Sequence, residues 1–589
     1  MLTFLHNLFS KATERQLIFF WLAFCFVALS YKLDGVPPYH SDENYYVEST
    51  RNMVESGDYL TPIYQDKKRF AKPILYYWLM SASYKIFGVS LISARLTSAI
   101  FGSLAIGLLY ILSGRLFDGR VALYSSLILP ATYMHFQISR WATTDIVMNF
   151  FILLALYFFI RLYQGNFAEK KYIYLFYLAM AFGFMTKGPP AIIIPGMVVL
   201  AFLLVTGKKR FLSQMRIGRG LVILLIVILP WFVTMLFLHG NEFKDHIIGA
   251  EITNRLVHDT PYSLYFFGAL FRYHLPWIFF FVVAILNQLG IANYSRATVS
   301  GVSEYFSQVF NSIKTHVRLL FARGNESVLF CYIWILVCLV LFTLFRTEHS
   351  RYMLPASSAV SMLVANIFAD MEKSGADWLS HKISLVITGG IFLVLALATA
   401  RALYVFDLIY HIPLSFFMLP TLFFLAGISI FILSNKRQFG KQIFVISFSL
   451  VFSFSFLSGQ VLPHINRYPM KLFSEKILSD RILAPIWVYR LGNQRARLGV
   501  LTGQTVIGIS QPNESKEFIE TNEQVLLVIR EKDLQKNFPG VSFNVLAEDI
   551  AWLRGRIGRE RLLDFLWKGE LLAAGPSNFT EKIYLVSNK

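Results

Sequence analysis

The chain has 589 residues, of which 55% are hydrophobic and only 15% charged, and its formal net charge is +19 at pH 7. Soluble globular proteins carry about a quarter charged residues, so this composition excludes an ordinary soluble protein and indicates a membrane protein. The 56 Phe and 29 Tyr residues are typical of lipid-facing helices with aromatic belts at the interface. Cys25, Cys331 and Cys338 all lie within apolar runs, so no disulfide framework is expected.

The N-terminal segment carries Lys11 and Arg15 around the start of its first apolar run. No small-residue cleavage site follows that run, so we expect a retained first helix rather than a signal peptide. Because a membrane helix needs roughly 20 apolar residues, we predict about thirteen transmembrane helices. The corresponding runs are 17–33, 91–113, 120–134, 145–163, 172–186, 189–206, 219–239, 263–288, 327–345, 352–370, 384–404, 413–434 and 441–458.

The short loops between these runs differ in their basic residues, which favour the cytoplasmic side of a membrane. If the N-terminus is cytoplasmic, the loops at 115–120, 161–171, 208–219 and 436–441 place most of their lysine and arginine inside, and thirteen crossings place the C-terminus outside. Because polar segments on one face of the membrane can form a shared functional site, we expect such a site at the outer face. The segments concerned are 34–90, 135–145, the turn at Lys187, 240–262, 345–351 and everything after 459.

From about residue 466 the chain mixes charges of both signs with short apolar stretches. We predict strands in the stretches RLGVLTG (497–503), EQVLLVIRE (523–531), FNVLAED (543–549), GELLAAG (569–575) and KIYLVSN (582–588). Helical patterns at 514–522 and 549–567 lie between them. These patterns predict a soluble α/β domain at 466–589, after a membrane domain at 1–465. The glycines of TGQTVIGIS lack the spacing of a nucleotide-binding fingerprint.

The first outer loop carries two adjacent acids, Asp42 and Glu43, at the start of a helical pattern that stops at Gly57. The local pattern favours Asp42 as a helix N-cap, and the alternative is a catalytic carboxylate. An aromatic segment, PILYYWLMSASYKIFG, is predicted to lie along the membrane surface. Before it, the stretch YQDKKRFAKP gathers Lys67, Lys68, Arg69 and Lys72. Because these cations lie on the outer side, they indicate an anionic partner, most simply a phosphate.

Further candidates occur where other outer loops meet the membrane. Asp145 in SRWATTD is either functional, as ionisable groups at membrane depth usually are, or a cap behind two threonines. Lys187 in FMTKGPP either snorkels to the interface or holds a phosphate. The other loops supply Arg255 and His258 in EITNRLVHDTPY, and Arg351 and Tyr352 in FRTEHSRYMLP. The histidine–acid pairs in these loops are adjacent and lack zinc-motif spacing, so solvated side chains are the simpler interpretation.

The ordered series of motifs resembles a known family. The segment SDENYYVESTRNMVESGDYLTPIYQDKKRFAKPILYYWLMSASYKIFG, followed by SARLTSAIFG, is similar to the first periplasmic loop of bacterial GT-C membrane glycosyltransferases. The nearest relatives are the lipid A 4-amino-4-deoxy-L-arabinose transferases and the protein O-mannosyltransferases. The similarity continues through TTD, MTKGPPAIIIPG, PWFVTM, EITNRLVHD and SRYMLP, over most of residues 34–370.

The resemblance implies roles for individual residues. By position, Asp42 matches the family's catalytic aspartate and Asp145 its second essential aspartate. The lysines of the family's EKPP and TKG motifs match Lys72 and Lys187, and the tyrosine of its PHYxLP-like motif matches Tyr352. Glu43 is a further catalytic candidate, and the substrate-binding candidates are completed by Tyr45, Arg69, Arg255, His258 and Arg351.

Two departures from the family pattern affect these roles. Relatives usually have a glutamate before the lysine of EKPP, which some of them use with a loop histidine to hold a metal, whereas this chain has Ala71. The departure counts against a metal site, and neither a metal nor another cofactor is required by the expected chemistry. Tyr45 stands where relatives have an arginine, so we expect a phosphate contact from Arg69 or Arg255 instead.

The resemblance implies a polytopic all-α GT-C membrane protein with a C-terminal periplasmic α/β domain. Its expected activity is inverting transfer of a sugar from a polyprenyl phosphate carrier to an acceptor hydroxyl. Asp42 would take the hydroxyl proton, and Lys72 and Lys187 would stabilise the departing phosphate. Asp145 would either position the acceptor or orient one of these cations.

We expect a monomer in the bacterial inner membrane with its active site facing the periplasm. Its partners would be a polyprenyl-phosphate-linked sugar, membrane lipids and a lipid, glycan or protein acceptor, and no nucleic acid. A transporter or flippase for lipid-linked sugars is an alternative, but it predicts charges near the midplane of the spans and inverted repeats. A polymerase or ligase that uses diphosphate-linked oligosaccharides is another, and it predicts a more basic outer loop.

Overall fold

The computed structural model describes most of the chain. The described residues are 14–36, 38, 41–65, 67–249, 264–289, 311, 314–315, 325–344, 349–374, 378–465, 468–491, 494–509, 523–538, 543–552 and 580–589.

Helices dominate the part of the chain before residue 466. They are α1 (Glu14–Ser30), α2 (Ser41–Ser56), α3 (Leu75–Phe87), α4 (Leu91–Leu116), α5 (Gly119–Ile128), α6 (Tyr133–Ser139), α7 (Thr144–Gln164), α8 (Lys171–Lys187), α9 (Pro190–Val205), α10 (Arg210–Gln214), α11 (Ile217–His246), α12 (Tyr265–Tyr273), α13 (Trp277–Gln288), α14 (Glu326–Leu344), α15 (Leu354–Ser374), α16 (Trp378–Tyr410), α17 (Met418–Asn435), α18 (Phe439–Phe456) and α19 (Leu462–Ile465). A short antiparallel hairpin, β1 (Ile63–Tyr64) and β2 (Lys67–Lys68), lies between α2 and α3.

Each of the thirteen predicted membrane runs coincides with a helix or a pair of helices. Within the described residues, eight helices are long and apolar enough to cross a membrane, or nine if the pair α12 and α13, bent by 114°, counts as one span. The prediction of a polytopic helical membrane protein is therefore confirmed. Some predicted runs give shorter helices: 120–134 contains only the ten-residue α5, after which a 3-10 turn at Leu129–Ala131 interrupts the chain.

Two buried arginines fix the segment between α1 and α2. Arg140 donates hydrogen bonds to the carbonyls of Ala28 and Leu29, in the last turn of α1, where carbonyls have no partner within the helix. It also donates to the carbonyls of Tyr31 and Lys32, just after the helix. Arg95 of α4 donates to the carbonyls of the next turn, those of Leu33 and Val36. These bonds hold the chain between α1 and α2, so the start of α2 has a defined position.

A five-stranded mixed sheet follows the membrane helices. The strands of the sheet are β3 (Ile486–Tyr489), β4 (Val506–Ile509), β5 (Leu526–Arg530), β6 (Asn544–Trp552) and β7 (Thr580–Ser587). The same part of the chain contains the helices α20 (Pro469–Ser479), α21 (Gln494–Thr502) and α22 (Glu531–Asn537). The strand order is β4-β3-β5-β7-β6. The pairs β3/β4 and β3/β5 are parallel, whereas β5/β7 and β6/β7 are antiparallel. This mixed sheet confirms the predicted α/β class of the C-terminal part.

Individual elements of that part were predicted with mixed success. The strands predicted at 523–531, 543–549 and 582–588 are confirmed as β5, β6 and β7. The strand predicted at 497–503 is wrong, because these residues belong to helix α21, in which Leu498 is fully buried. The helix predicted from residue 549 is wrong at its start, since 549–552 continue β6. Strands β3 and β4 were missed. The predictions at 514–522 and 569–575 lie outside the described residues.

Candidate active site

The adjacent acids Asp42 and Glu43 occupy different environments. Helix α2 begins at Ser41, so Asp42 and Glu43 lie in its first turn, where the helix dipole favours negative charge. Successive residues of a helix point about 100° apart. The Asp42 side chain keeps 31% of its surface exposed, whereas that of Glu43 keeps none. Asp42 is therefore the carboxylate that a reactant can reach.

Glu43 joins three segments of the protein. Its Oε1 accepts hydrogen bonds from Arg95 Nε at 2.6 Å and from the backbone N–H of Ala142 at 2.9 Å. Its Oε2 accepts a second hydrogen bond from Arg95, at Nη2 and 2.8 Å. This geometry argues against the catalytic role predicted for Glu43, because both carboxylate oxygens are engaged by buried donors. Glu43 instead ties α2 to α4 and to the loop before α7.

The next two candidates lie where α7 begins and α8 ends. Asp145 is in the first turn of α7, whose N-cap residue is Thr143, so Asp145 itself is not the cap. Lys187 is the last residue of α8. The helix ends there because Gly188 adopts a φ of 100°, a conformation that favours glycine, and two prolines follow. Both side chains therefore lie at the same end of the antiparallel helices α7 and α8.

Four side chains form what we call the ion-pair cluster: Asp42, Arg351, Asp145 and Lys187. Arg351 Nη2 donates to Asp42 Oδ2 at 2.5 Å, and Arg351 Nε lies 3.9 Å from Asp145 Oδ2. Lys187 Nζ donates to the other carboxylate oxygen, Asp145 Oδ1. Asp145 thus lies between two cations, and the cluster joins residues that are up to 309 positions apart in sequence.

Arg351 has donor capacity left over. It precedes α15 in a 3-10 turn, Ser350–Met353, and its side chain is only 10% exposed. Among the residues that the structure describes, its buried Nη1 has no hydrogen-bond partner. A buried guanidinium with an unfilled donor favours an anion as its ligand, and carboxylate or phosphate geometry suits the guanidinium fork. The neighbouring Tyr352 ring lies under Lys187, whose Nζ is 4.8 Å from the ring centroid.

Arg69 adds a third cation beside Asp42. Its guanidinium lies over the Tyr45 ring, 4.1 Å from the centroid, and 5.7 Å from that of Tyr46. Burial lowers the pKa of Arg69, whereas Tyr77, Tyr46 and Asp42 raise it, and the net direction is upward. The Asp42 carboxylate is therefore close enough to raise the pKa of Arg69, and the guanidinium stays charged. Counting Arg69, Arg351 and Lys187 against Asp42 and Asp145 leaves the site with one net positive charge.

The remaining candidates are distributed differently. Lys72 is half-buried, and its Nζ donates to the carbonyl of Ala71 at 2.6 Å, so its predicted phosphate contact stays a prediction. Arg255 and His258 lie outside the described residues. In the described part of the chain, no group of three or more His, Cys, Asp and Glu side chains is arranged to hold a metal ion. Metal dependence therefore also stays a prediction.

Contacts between segments that were predicted to lie on the outer face show, for the described residues, that these segments converge. The segment 34–90 meets the segment 240–262 where Lys68 Nζ pairs with Glu242 at 2.7 Å. Thr61 Oγ1 also bonds to His239 Nε2 at 2.9 Å, immediately before the latter segment. The basic loop is therefore partly neutralised at Lys68.

Sequence reasoning missed Arg95 and Arg140 as parts of this site. Both side chains are almost completely buried, at 3% and 5% exposure. A signal was present, because each is a single arginine at or near an apolar run, and ionisable groups in such places are seldom without a partner. The partners, Glu43 for one and four backbone carbonyls for the other, could not be identified without the fold.

Comparisons with known proteins agree with the motif series. Residues 71–233 match the family model described as Dolichyl-phosphate-mannose-protein mannosyltransferase. A 249-residue stretch is 32% identical to an uncharacterized protein of Aquifex aeolicus and covers 39% of this chain and 49% of that protein. The chain is also 26% identical over 384 residues to an undecaprenyl phosphate-alpha-4-amino-4-deoxy-L-arabinose arabinosyl transferase of Aeromonas hydrophila, covering 63% of this chain and 64% of that relative.

Among solved structures, the fold is similar to that of ArnT from Cupriavidus metallidurans bound to undecaprenyl phosphate. The match has a TM-score of 0.70 at 19% sequence identity and covers 97% of this chain and 98% of that one. Such coverage includes the C-terminal sheet as well as the membrane helices. The sequence alignments, by contrast, span between about half and two thirds of the length of the two relatives above. These matches confirm the resemblance inferred from the motifs.

Proposed function

We propose that this chain, a multi-pass membrane protein with the GT-C fold, is an inverting glycosyltransferase. It moves a sugar from a polyprenyl phosphate carrier, most simply undecaprenyl phosphate, to an acceptor hydroxyl. The observation that carries this proposal is the ion-pair cluster, in which a partly exposed carboxylate, Asp42, lies beside a buried guanidinium with an unfilled donor. A transfer with a phosphate leaving group needs both a proton acceptor and a cation.

Asp42 is the general base of the proposed reaction. The acceptor oxygen attacks the anomeric carbon, its proton passes to the Asp42 carboxylate, and the bond from the anomeric carbon to the phosphate oxygen breaks. Both bonding electrons leave with the phosphate, which therefore gains one negative charge. Attack opposite to the leaving group inverts the anomeric centre.

Arg351 and Lys187 stabilise the developing charge on the phosphate. Arg351 can donate from Nη2 to Asp42 and at the same time from Nη1 to a phosphate oxygen. The planar guanidinium would then hold the base and the leaving group in a fixed relative position. Cations aimed at charge that appears in the transition state lower the barrier more than they strengthen substrate binding. Asp145, with one oxygen toward each cation, orients both.

Arg69 supports the same phosphate in this proposal. It reaches the site from the segment after β2 and lies against Tyr45, the position where relatives carry an arginine. Arg69 then supplies the phosphate contact that Tyr45 cannot make, and Lys72 supplies another. Neither role requires a nucleotide or a metal.

The proposed location of the site is the periplasmic face of the bacterial inner membrane. The polar loops that converge there alternate along the chain with the basic short loops, and basic short loops are favoured in the cytoplasm. A lipid-linked sugar would reach the ion-pair cluster from the outer leaflet, and the C-terminal sheet would lie in the periplasm. The chain is proposed to act as a monomer.

The proposed acceptor is lipid A or another cell-envelope glycan, which follows from the resemblance of the motifs to those of the lipid A 4-amino-4-deoxy-L-arabinose transferases. A secreted protein is the second candidate, because residues 71–233 match a family model named for protein mannosyltransferases.

Mass spectrometry can test the function and separate the acceptors. Lipid A, other envelope glycans and periplasmic glycoproteins should be compared between cells with the gene, without it, and with Asp42→Asn. We expect one sugar adduct that depends on both the gene and Asp42. An adduct on lipid A or another glycan supports the first acceptor, and one on protein the second. No difference among the three strains contradicts the proposed activity.

A further inference from the structure

We propose that Arg497 and Arg51 form a clamp through which the C-terminal sheet domain holds helix α2, and with it Asp42, in its reactive position. This inference rests on the proposed glycosyl transfer and deepens it. Both arginines are positioning residues, because they act on the reaction through α2. The clamp gives the C-terminal domain a part in proton transfer although it supplies no group to the reactants.

The two hydrogen bonds of the clamp run in opposite directions across one interface. Arg497 belongs to α21, and its Nη2 donates to the carbonyl of Pro38, four residues before Asp42. Arg51 belongs to α2, and its Nη1 donates to the carbonyl of Gly499 in α21 at 2.5 Å. Each helix thus supplies one arginine, and each arginine donates to a backbone carbonyl of the opposite segment. The segment carrying Asp42 is held on both sides of that residue.

Burial makes this link hard to open. Arg497 and Arg51 are only 7% and 8% exposed. A buried charged group that loses its hydrogen-bond acceptor is strongly unfavourable, so each guanidinium favours the closed interface. Arg51 lies directly against this turn of α21, since a Cβ added at Gly499 would lie 3.4 Å from Arg51 Nη1, an ordinary van der Waals distance.

Apolar packing completes the interface around these bonds. Val47 of α2 and Leu91 of α4 face Val500 and Leu501 of α21 around a small cavity, which Arg497 also lines. On its other side α2 is tied to the membrane helices by Glu43 and Arg95. Helix α2 is therefore fixed between the membrane helices and the C-terminal sheet, so it cannot rotate without breaking one of these links.

The position of α2 matters because Asp42 must meet both Arg351 and the acceptor hydroxyl. A displacement of about 1 Å at a reacting group can lower a rate by roughly 100-fold. Loosening the clamp should therefore lower kcat, while the KM for the carrier, whose phosphate contacts lie on other segments, changes little. Loss of a purely structural contact at the protein surface would change neither kcat nor KM.

The experiment uses the full chain in lipid nanodiscs. The variants are Arg497→Met, Arg51→Met, the double variant and Arg497→Lys, with Lys476→Met as the matched control, since Lys476 forms an exposed ion pair with Asp480 in the same domain. Amide hydrogen exchange of residues 41–56 reports the clamp directly. The kinetic assay uses undecaprenyl phosphate-4-amino-4-deoxy-L-arabinose as donor and lipid A as acceptor.

We expect Arg497→Met and Arg51→Met to raise exchange in α2 about tenfold and to lower kcat about tenfold, with KM within about twofold. Because the two bonds act as one clamp, the double variant should lower kcat little more than either single variant does. Arg497→Lys should recover part of kcat, and Lys476→Met should match the wild type. Should Arg497→Met fail to fold, Arg51→Met and Arg497→Lys carry the same comparison.

Unchanged exchange in α2 for Arg497→Met and Arg51→Met would overturn the clamp, and so would a kcat equal to that of Lys476→Met. A wild-type protein that transfers no sugar in this assay contradicts this choice of donor and acceptor, and the comparison of lipid A, glycans and glycoproteins by mass spectrometry then tests the proposed function itself. In that case the exchange measurement alone still decides whether the C-terminal domain holds α2.

Discussion

Arg351 and Asp42 are 309 residues apart in sequence, yet their side chains meet at 2.5 Å. The bond brings the start of α2 to the turn before α15, and through Asp145 it extends to the end of α8. Charged groups at membrane depth are costly unless they are paired. Here the pairing also leaves one carboxylate partly exposed and one guanidinium donor unfilled, which is the arrangement that a phosphate-releasing transfer requires.

Replacing Asp42 by asparagine should abolish transfer. An amide cannot accept the hydroxyl proton, and loss of a general base typically lowers a rate by about 10²–10⁴-fold. Binding of undecaprenyl phosphate should stay close to wild type, because the cations remain. Initial rates and lipid binding in nanodiscs check both. Asp58→Asn, an exposed aspartate in the same loop that caps a turn, should retain activity; turnover by Asp42→Asn would reject the base assignment.

Replacing Arg351 by lysine should lower kcat by about 10²–10³-fold, the usual effect of removing one donor to a developing oxyanion. Lysine keeps the charge but has no planar fork to contact Asp42 and a phosphate together. Steady-state kinetics at saturating donor provide the measurement. Arg120→Lys is the matched control, since Arg120 forms an exposed ion pair with Glu372. Equal rates for the two variants would show that Arg351 does not act on the phosphate.

Replacing Glu43 by glutamine should act mainly on stability. The change leaves Arg95 buried without a counter-charge, and breaking a buried ion pair costs about 3–5 kcal/mol. Thermal unfolding should therefore begin at a clearly lower temperature. Glu169→Gln, in an exposed ion pair with Lys171, should unfold as the wild type does. A variant at Glu43 with normal stability but no activity would restore the catalytic role predicted from the sequence.

Replacing Lys72 by alanine should raise the KM for the polyprenyl-phosphate donor roughly tenfold, the effect expected for one charge-assisted hydrogen bond. The residue lies between β2 and α3, three positions after Arg69 in sequence, and the proposed mechanism assigns it a contact to the carrier phosphate. Donor titrations of the purified enzyme measure the effect. Lys85→Ala serves as control, because Lys85 lies over the Tyr59 ring at the other end of α3. Unchanged kinetics for Lys72→Ala would count against its role.

Sequence patterns predicted individual residues of the site better than their partners. Asp42, Asp145, Lys187, Arg351 and Tyr352 were identified from their places at the ends of apolar runs and from the family motifs, and the structure brings them together. The difference between Asp42 and Glu43 was not predictable. Two neighbours in one helical turn have the same local pattern, and which of them is buried depends on where α4 packs.

The C-terminal part shows the same limit of local patterns. Alternating apolar residues predicted β5, β6 and β7 because half-buried strands have a period of two. The stretch 497–503 also looks strand-like, yet it is helical and its Leu498 faces the core. This helix packs against α2, and Arg497 and Gly499 make hydrogen bonds at the contact.

The sequence by itself determined that this is a polytopic membrane protein, where its apolar helices run and which loops carry the candidate site residues. These are local properties, because the length of an apolar run follows from the thickness of the bilayer. Only the tertiary structure decided that Asp42 meets Arg351, that Glu43 is a buried tie and that Arg497 reaches Pro38. Ion pairs and buried hydrogen bonds depend on distances of a few ångströms between distant segments, and those distances are set by helix packing.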